Sequence, residues 1–196
     1  MGKLINSTIV HQLILEKKLS FDDKLSQWFP DIQNANNITI EQLLTHTNGI
    51  YSFNYDPDLH DSNESFSPLE LQTLRAFSKD DPNLALAHNN GLAIEKDYSS
   101  LLGAGGFVSN SKDMATFLSA LLTGKIIPIK KVHAMMKNLY PMFDKGHYYG
   151  RGIMLYDFSE IDETKSVWIG HSGGTQNYKA ILLYDTQSKV IMAVCI

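Results

Sequence analysis

The sequence predicts an α+β fold, an antiparallel sheet flanked by helices, and three observations predict it. Apolar residues recur at helical spacing through the first two-thirds of the chain. After Tyr148 the period shortens to that of strands, and a polar turn, Asp185-Thr-Gln-Ser188, joins two of them. Strands linked by tight turns pair antiparallel, and helices ahead of them must pack on the sheet to bury their apolar faces. The expected organisation is one domain over residues 1–196, mainly helical over 1–147 and stranded over 148–196.

The elements follow in order. Ile5, Ile9 and Leu13, with Val10 and Ile14, recur every four positions and predict a helix to Leu15 with that stripe buried and Lys3 in its first turn. Thr39-x-x-Gln42 is a capping box ahead of Leu43-Leu44, and Asn48-Gly49 offers the left-handed residue that ends a short helix. Asp, Asn, Ser and Pro from Tyr51 to Pro68 predict a long loop, and Ser67-Pro68 starts a helix through Phe77. Met114, Phe117, Leu118, Leu121 and Leu122 form a core-facing helical stripe, capped near Ser109 to Ser111 and closed by Gly124. A shorter helix covers Ile129 to Leu139. Strands are expected at Gly152–Tyr156, Val167–His171, Tyr178–Tyr184 and Val190–Ile196.

Composition narrows the function classes. Net charge is -4 without a basic block, which argues against nucleic acid or an anionic membrane surface as a partner. No stretch approaches the eighteen or so apolar residues of a transmembrane span. The single cysteine, Cys195, excludes an internal disulfide and any multi-cysteine metal site. His11, His60, His133 and His147 lack metal-ligand spacing and read as surface residues, and Met135-Met136 and Tyr148-Tyr149 read as packing. No signal peptide is visible, and compartment and oligomeric state stay open.

Five segments in order carry a resemblance. They are the Lys3 helix running into Leu15-Glu-Lys-Lys-Leu-Ser-Phe-Asp-Asp23, the Ile38 to Gly49 stretch with Leu44-Thr-His-Thr-Asn-Gly49, Gly103-Ala-Gly-Gly-Phe-Val-Ser-Asn-Ser-Lys-Asp-Met-Ala115, Tyr149-Gly-Arg-Gly152, and Trp168-Ile-Gly-His-Ser-Gly-Gly-Thr175. Together they resemble the serine β-lactamase and penicillin-binding-protein superfamily, in its class C β-lactamase, D-alanyl-D-alanine carboxypeptidase and esterase-like branch.

The resemblance implies a β-lactamase/transpeptidase-like fold and a serine hydrolase that cleaves peptide, β-lactam or ester bonds through an acyl-enzyme. Lys3 would be the lysine of a Ser-x-x-Lys motif, with Met1 and Gly2 as the two intervening residues and the nucleophilic serine just before Met1. An i, i+3 pair shares one helix face, so the amine can take the hydroxyl proton. His171, Ser172 and Gly173 would form the strand triplet that walls the active site. His171 and Ser172 would bind the substrate's polar flank, and a backbone N–H near Gly174 would complete an oxyanion hole. His46 would fix a buried loop through its hydrogen bonds.

The resemblance also sets expectations of what is missing. The chain reads as a partial domain, cut at both ends, with an internal deletion near Lys79. No Tyr-x-Asn motif occurs in it; Tyr98-Ser99-Ser100 and His88-Asn89-Asn90 are imperfect echoes. The family's members are often periplasmic, secreted or envelope-associated. No metal or organic cofactor is implied, and the expected partner is a small-molecule or peptide substrate. A second reading is a catalytically inactive remnant or binding module of the same fold, and a third is a chain that is not stable alone.

Overall fold

The computed structural model describes residues 1–51, 85, 87–89, 92–94, 107–160, 165–174 and 178–196. Outside them lie the expected 51–68 loop after Tyr51, the helix to Phe77, the region of Lys79, Tyr98-Ser99-Ser100, Gly103 to Gly106 and Thr175. The helices are α1 (Gly2–Leu15), α2 (Ile40–Leu44), α3 (Ser111–Leu122) and α4 (Ile129–Met135). The strands are β1 (Ala87–Asn89), β2 (Leu92–Ile94), β3 (Tyr140–Pro141), β4 (His147–Tyr149), β5 (Met154–Asp157), β6 (Val167–Gly174), β7 (Lys179–Asp185) and β8 (Ile191–Cys195).

Among the described residues β3 to β8 form one antiparallel sheet in sequence order, and β1 and β2 form a separate antiparallel pair. The α+β fold is therefore the observed one, with the six-stranded sheet starting at Tyr140 rather than after Tyr148. His88 and Asn89 sit in the small β1–β2 pair. The β7–β8 turn forms as its sequence requires. The Asp185 carboxylate accepts from the hydroxyl of Ser188, from the backbone N–H of Gln187 at 3.1 Å and of Ser188 at 3.0 Å, and from Ser166 Oγ at 3.1 Å. These donors, the Ser188 hydroxyl first, hold its pKa at about 2.

Consecutive residues of a strand face opposite ways, and β7 shows it. Leu182 packs into a core with Leu4 of α1, Leu118 and Leu121 of α3, Val132 and Met135 of α4, and Ile153. Leu183 joins Tyr149, Met154 and Tyr156 on the other face. The α3 stripe behaves as its spacing predicts: Met114, Leu118 and Leu121 are buried and Phe117 and Leu122 half-buried, with Asn110 Oδ1 accepting from the Asp113 N–H at 2.9 Å and Gly124 left-handed at φ +76°. Helix α4 stops at Met135, short of Leu139. The Met135 carbonyl, which would bond the Leu139 N–H in a longer helix, instead accepts from Arg151 N–H at 2.8 Å.

The buried face of α1 differs from the expected one. Leu4, Ser7, Thr8 and His11 are buried, while Ile9 is 46% exposed and Ile5, Val10, Leu13 and Ile14 are only partly covered. The reason is a close approach. At Gly152, left-handed at φ +71°, a Cβ would stand 2.3 Å from the Ser7 Cβ, so glycine alone fits there and α1 meets it with the small Ser7. Ser7 Oγ on this face donates to the Arg151 carbonyl at 2.6 Å, and Thr8 Oγ1 to the Leu4 carbonyl at 2.8 Å. His11, expected at the surface, is 1% exposed and donates from Nδ1 to the Ser7 carbonyl at 2.8 Å.

The strand contact at Gly170 is equally tight, since a Cβ there would stand 2.0 Å from the Leu182 carbonyl oxygen, whereas one at Gly174 would meet nothing nearer than 3.8 Å. Replacing Gly170 by Ala should cost about 3 kcal/mol, as overpacking against backbone does. Gly174→Ala should stay within about 0.5 kcal/mol of the parent. Urea unfolding midpoints of the two variants check this contrast.

Candidate functional site

The site forms where β6 outruns its neighbour. The β5–β6 ladder ends at Met154↔Gly170, while the β6–β7 ladder continues through His171↔Leu182 to Gly174↔Lys179. Residues 171–174 therefore have a strand partner on one side only among the described residues. The chain after β4 turns away at Gly150 to Gly152, and that turn is held against the helices. The Gly152 N–H donates to the Leu44 carbonyl at 2.9 Å. Arg151 pairs with Glu41 of α2 through its Nε (3.0 Å) and its terminal nitrogen, donates to the Ala134 carbonyl at 3.1 Å, and lies 4.3 Å over the Phe21 ring. The Ser7 bond to the Arg151 carbonyl ties α1 to the same turn.

The start of α1 consequently meets the glycines. The backbone nitrogen of Met1 lies 3.0 Å from the position of a Cβ at Gly173. Lys3, one turn in, is exposed, and its charge acts on both His46 and His171. The start of α1, with Lys3 one turn in, and the Gly173 region of β6 thus meet at one edge.

Each side chain there has a definite state. His171 is 4% exposed. Its Nδ1 faces the Ser172 carbonyl and so carries the proton, and its Nε2 lies 3.2 Å from the Tyr149 hydroxyl, which donates to it. Burial, and after it the positive charge at the start of α1, push its pKa down to about 3. Both ring nitrogens are engaged inside the protein. Ser172 is half-buried, and its Oγ accepts from the Tyr156 hydroxyl at 2.7 Å. Burial raises the pKa of Tyr149 and of Tyr156, so both phenols stay protonated donors.

His46 takes a different place from the expected one. Helix α2 has its capping box, with Gln42 N–H donating to Thr39 Oγ1 at 3.2 Å and Thr39 N–H to Gln42 Oε1 at 2.8 Å, but it ends at Leu44. His46 itself adopts the left-handed conformation at φ +58°. Its exposed ring leans on Tyr149, 4.8 Å between centroids, and partial burial followed by Lys3 lowers its pKa.

Sequence reasoning missed Tyr149, Tyr156 and His46 as members of this cluster. Tyr149 stood inside a recognised motif, but its hydroxyl partner depends on strand order. No group of three or more His, Cys, Asp or Glu among the described residues is arranged to hold a metal ion, and no helix among them is long and apolar enough to cross a membrane.

Residues 1–84 match the family model described as Beta-lactamase. D-amino acid amidase from Ochrobactrum anthropi SV3, in complex with D-phenylalanine, is similar in fold with a TM-score of 0.78 at 19% identity, over 100% of this chain and 83% of that one. A D-stereospecific amidohydrolase from Streptomyces sp. gives 0.76 at 19% identity over 98% and 78%. A penicillin binding protein from Bacillus halodurans gives 0.69 at 18% identity over 98% and 77%. No curated protein matches. The fold is the β-lactamase/transpeptidase-like one, and the match to the Beta-lactamase family model lies in residues 1–84.

A buried neutral histidine ties stability to pH. His171 has a folded pKa of about 3, below the roughly 6.5 of an unfolded histidine, so the unfolded chain binds more protons between these values. Its contribution is complete above about pH 6.5 and is lost as pH falls toward 3. The urea midpoint should fall from pH 7 to pH 4, and His171→Gln should flatten that slope.

Proposed function

We propose that this β-lactamase-like chain forms the acyl-transfer site of a serine hydrolase acting on amide or ester bonds of amino-acid-sized or peptide substrates. The observation that carries the reading is the meeting of α1's first turn with the His-Ser-Gly edge, some 170 positions apart in sequence. The amidase and amidohydrolase of the same fold supply the substrate class.

In this reading the nucleophilic serine stands immediately before Met1, one turn from Lys3 on the same helix face. The Lys3 amine takes the hydroxyl proton as the oxygen attacks the substrate carbonyl. The oxyanion that develops faces a backbone N–H of the Gly173-Gly174 stretch, where the lack of side chains lets a substrate approach the main chain. Collapse breaks the C–N or C–O bond, the leaving group takes the proton, and water then hydrolyses the acyl ester. Ser172, polarised by the Tyr156 hydroxyl, contacts the polar flank of the substrate. His171 contributes by holding the strand rather than by binding, because both its nitrogens are occupied.

One sequence feature favours a second reading, a binding module of the same fold: no Tyr-x-Asn occurs in the chain. Covalent probes separate the two. The 196-residue chain alone should remain unlabelled by a fluorescent penicillin or a fluorophosphonate. The gene product extended upstream should have serine before Met1 and should become labelled, and Lys3→Ala in that product should cut labelling at least about 100-fold. A residue other than serine at that position, or labelling that survives Lys3→Ala, would sink the hydrolase reading.

A further inference from the structure

We infer that Tyr149 is a positioning residue of this site: its hydroxyl fixes the tautomer and orientation of the His171 ring, and through that ring the Ser172–Gly173 peptide. The inference rests on the hydrolase reading only for the reaction it serves; the relay itself stands on geometry.

Tyr149 is 2% exposed, on β4, two strands away from β6. Its ring meets His171 edge-on, 5.7 Å between centroids at 87°, with the hydroxyl 3.2 Å from Nε2. A phenol that stays protonated can only donate to an unprotonated Nε2, which leaves the ring proton on Nδ1. That nitrogen faces the Ser172 carbonyl. Carbonyl and N–H point to opposite sides of a planar trans peptide, so holding the Ser172 carbonyl also sets the direction of the Gly173 N–H. Gly173 is where the start of α1 touches β6.

The His46 ring also packs on Tyr149, 4.8 Å between centroids at 52°. On its β5 side β6 has no strand partner beyond Gly170 among the described residues, so on that side the relay acts beside the β6–β7 ladder as the constraint on the peptide.

The test is the imidazole spectrum of the full 15N-labelled chain at pH 7, with His171 assigned by its loss in His171→Gln. The wild-type ring should show its proton on Nδ1 and an acceptor Nε2. Tyr149→Phe keeps the ring and removes only the donor; it should bring the two nitrogens toward tautomer-averaged positions and shift the Gly173 amide. A wild-type proton on Nε2 overturns the inference, and so does a folded Tyr149→Phe with both signals unmoved.

Should Tyr149→Phe fail to fold, replacement of the tyrosines by 3-fluorotyrosine, a stronger donor of the same shape, decides. The Nε2 resonance should move toward the more strongly hydrogen-bonded position, and an unmoved resonance overturns the relay. A purely packing tyrosine would leave these spectra unchanged, and acyl-probe labelling can fail without altering them.

Discussion

The close approach of α1 to the turn at Gly152 is the constraint on which the rest depends. Ser7 and Gly152 leave no room for a larger pair, and the hydrogen bond from Ser7 to the Arg151 carbonyl fixes the helix's rotation as well as its distance. Rotation decides which side of α1 is buried, and hence where Lys3 points. The same turn carries the Arg151 side chain into its pairing with Glu41, so α2 and the loop bearing His46 are tied to one point. An ion pair this sheltered is strongly felt when one partner is lost, because the remaining charge is left without compensation.

Around the edge of β6 the electrostatics are one-sided. Lys3 brings positive charge, while His46 and His171 are both disfavoured as cations and the two tyrosines keep their protons. The hydrogen-bond direction from Tyr149 to His171 is set by the ring proton on Nδ1, and the Tyr156 hydroxyl pairs with that of Ser172. Fixed dipoles of this kind reorganise little when charge develops beside them.

How much of this was legible in the sequence depended on how local each feature is. The capping box of Thr39 and Gln42, the α3 stripe and the Asp185 turn are decided within a few residues, and their sequences specify them. The buried side of α1 is decided by a partner 144 positions away, so the aliphatic stripe misleads and the small polar residues are the ones enclosed. The early end of α4 has a similar origin, a distant N–H capturing the Met135 carbonyl. At the site, the spacing that singles out Lys3 and the Gly-rich strand is written in the chain. The partners of Tyr149 and His46 are not, since they arise only when β4, β5 and β6 lie side by side.

The Ser7–Gly152 contact has an evolutionary consequence. Neither residue can enlarge while the other stays, and both are already near the smallest side chains available, so substitutions at the two positions must be strongly epistatic. A lineage that places a bulkier residue at either one has to slide the helix away from the sheet, and the lysine it carries drifts from the glycines in the same step.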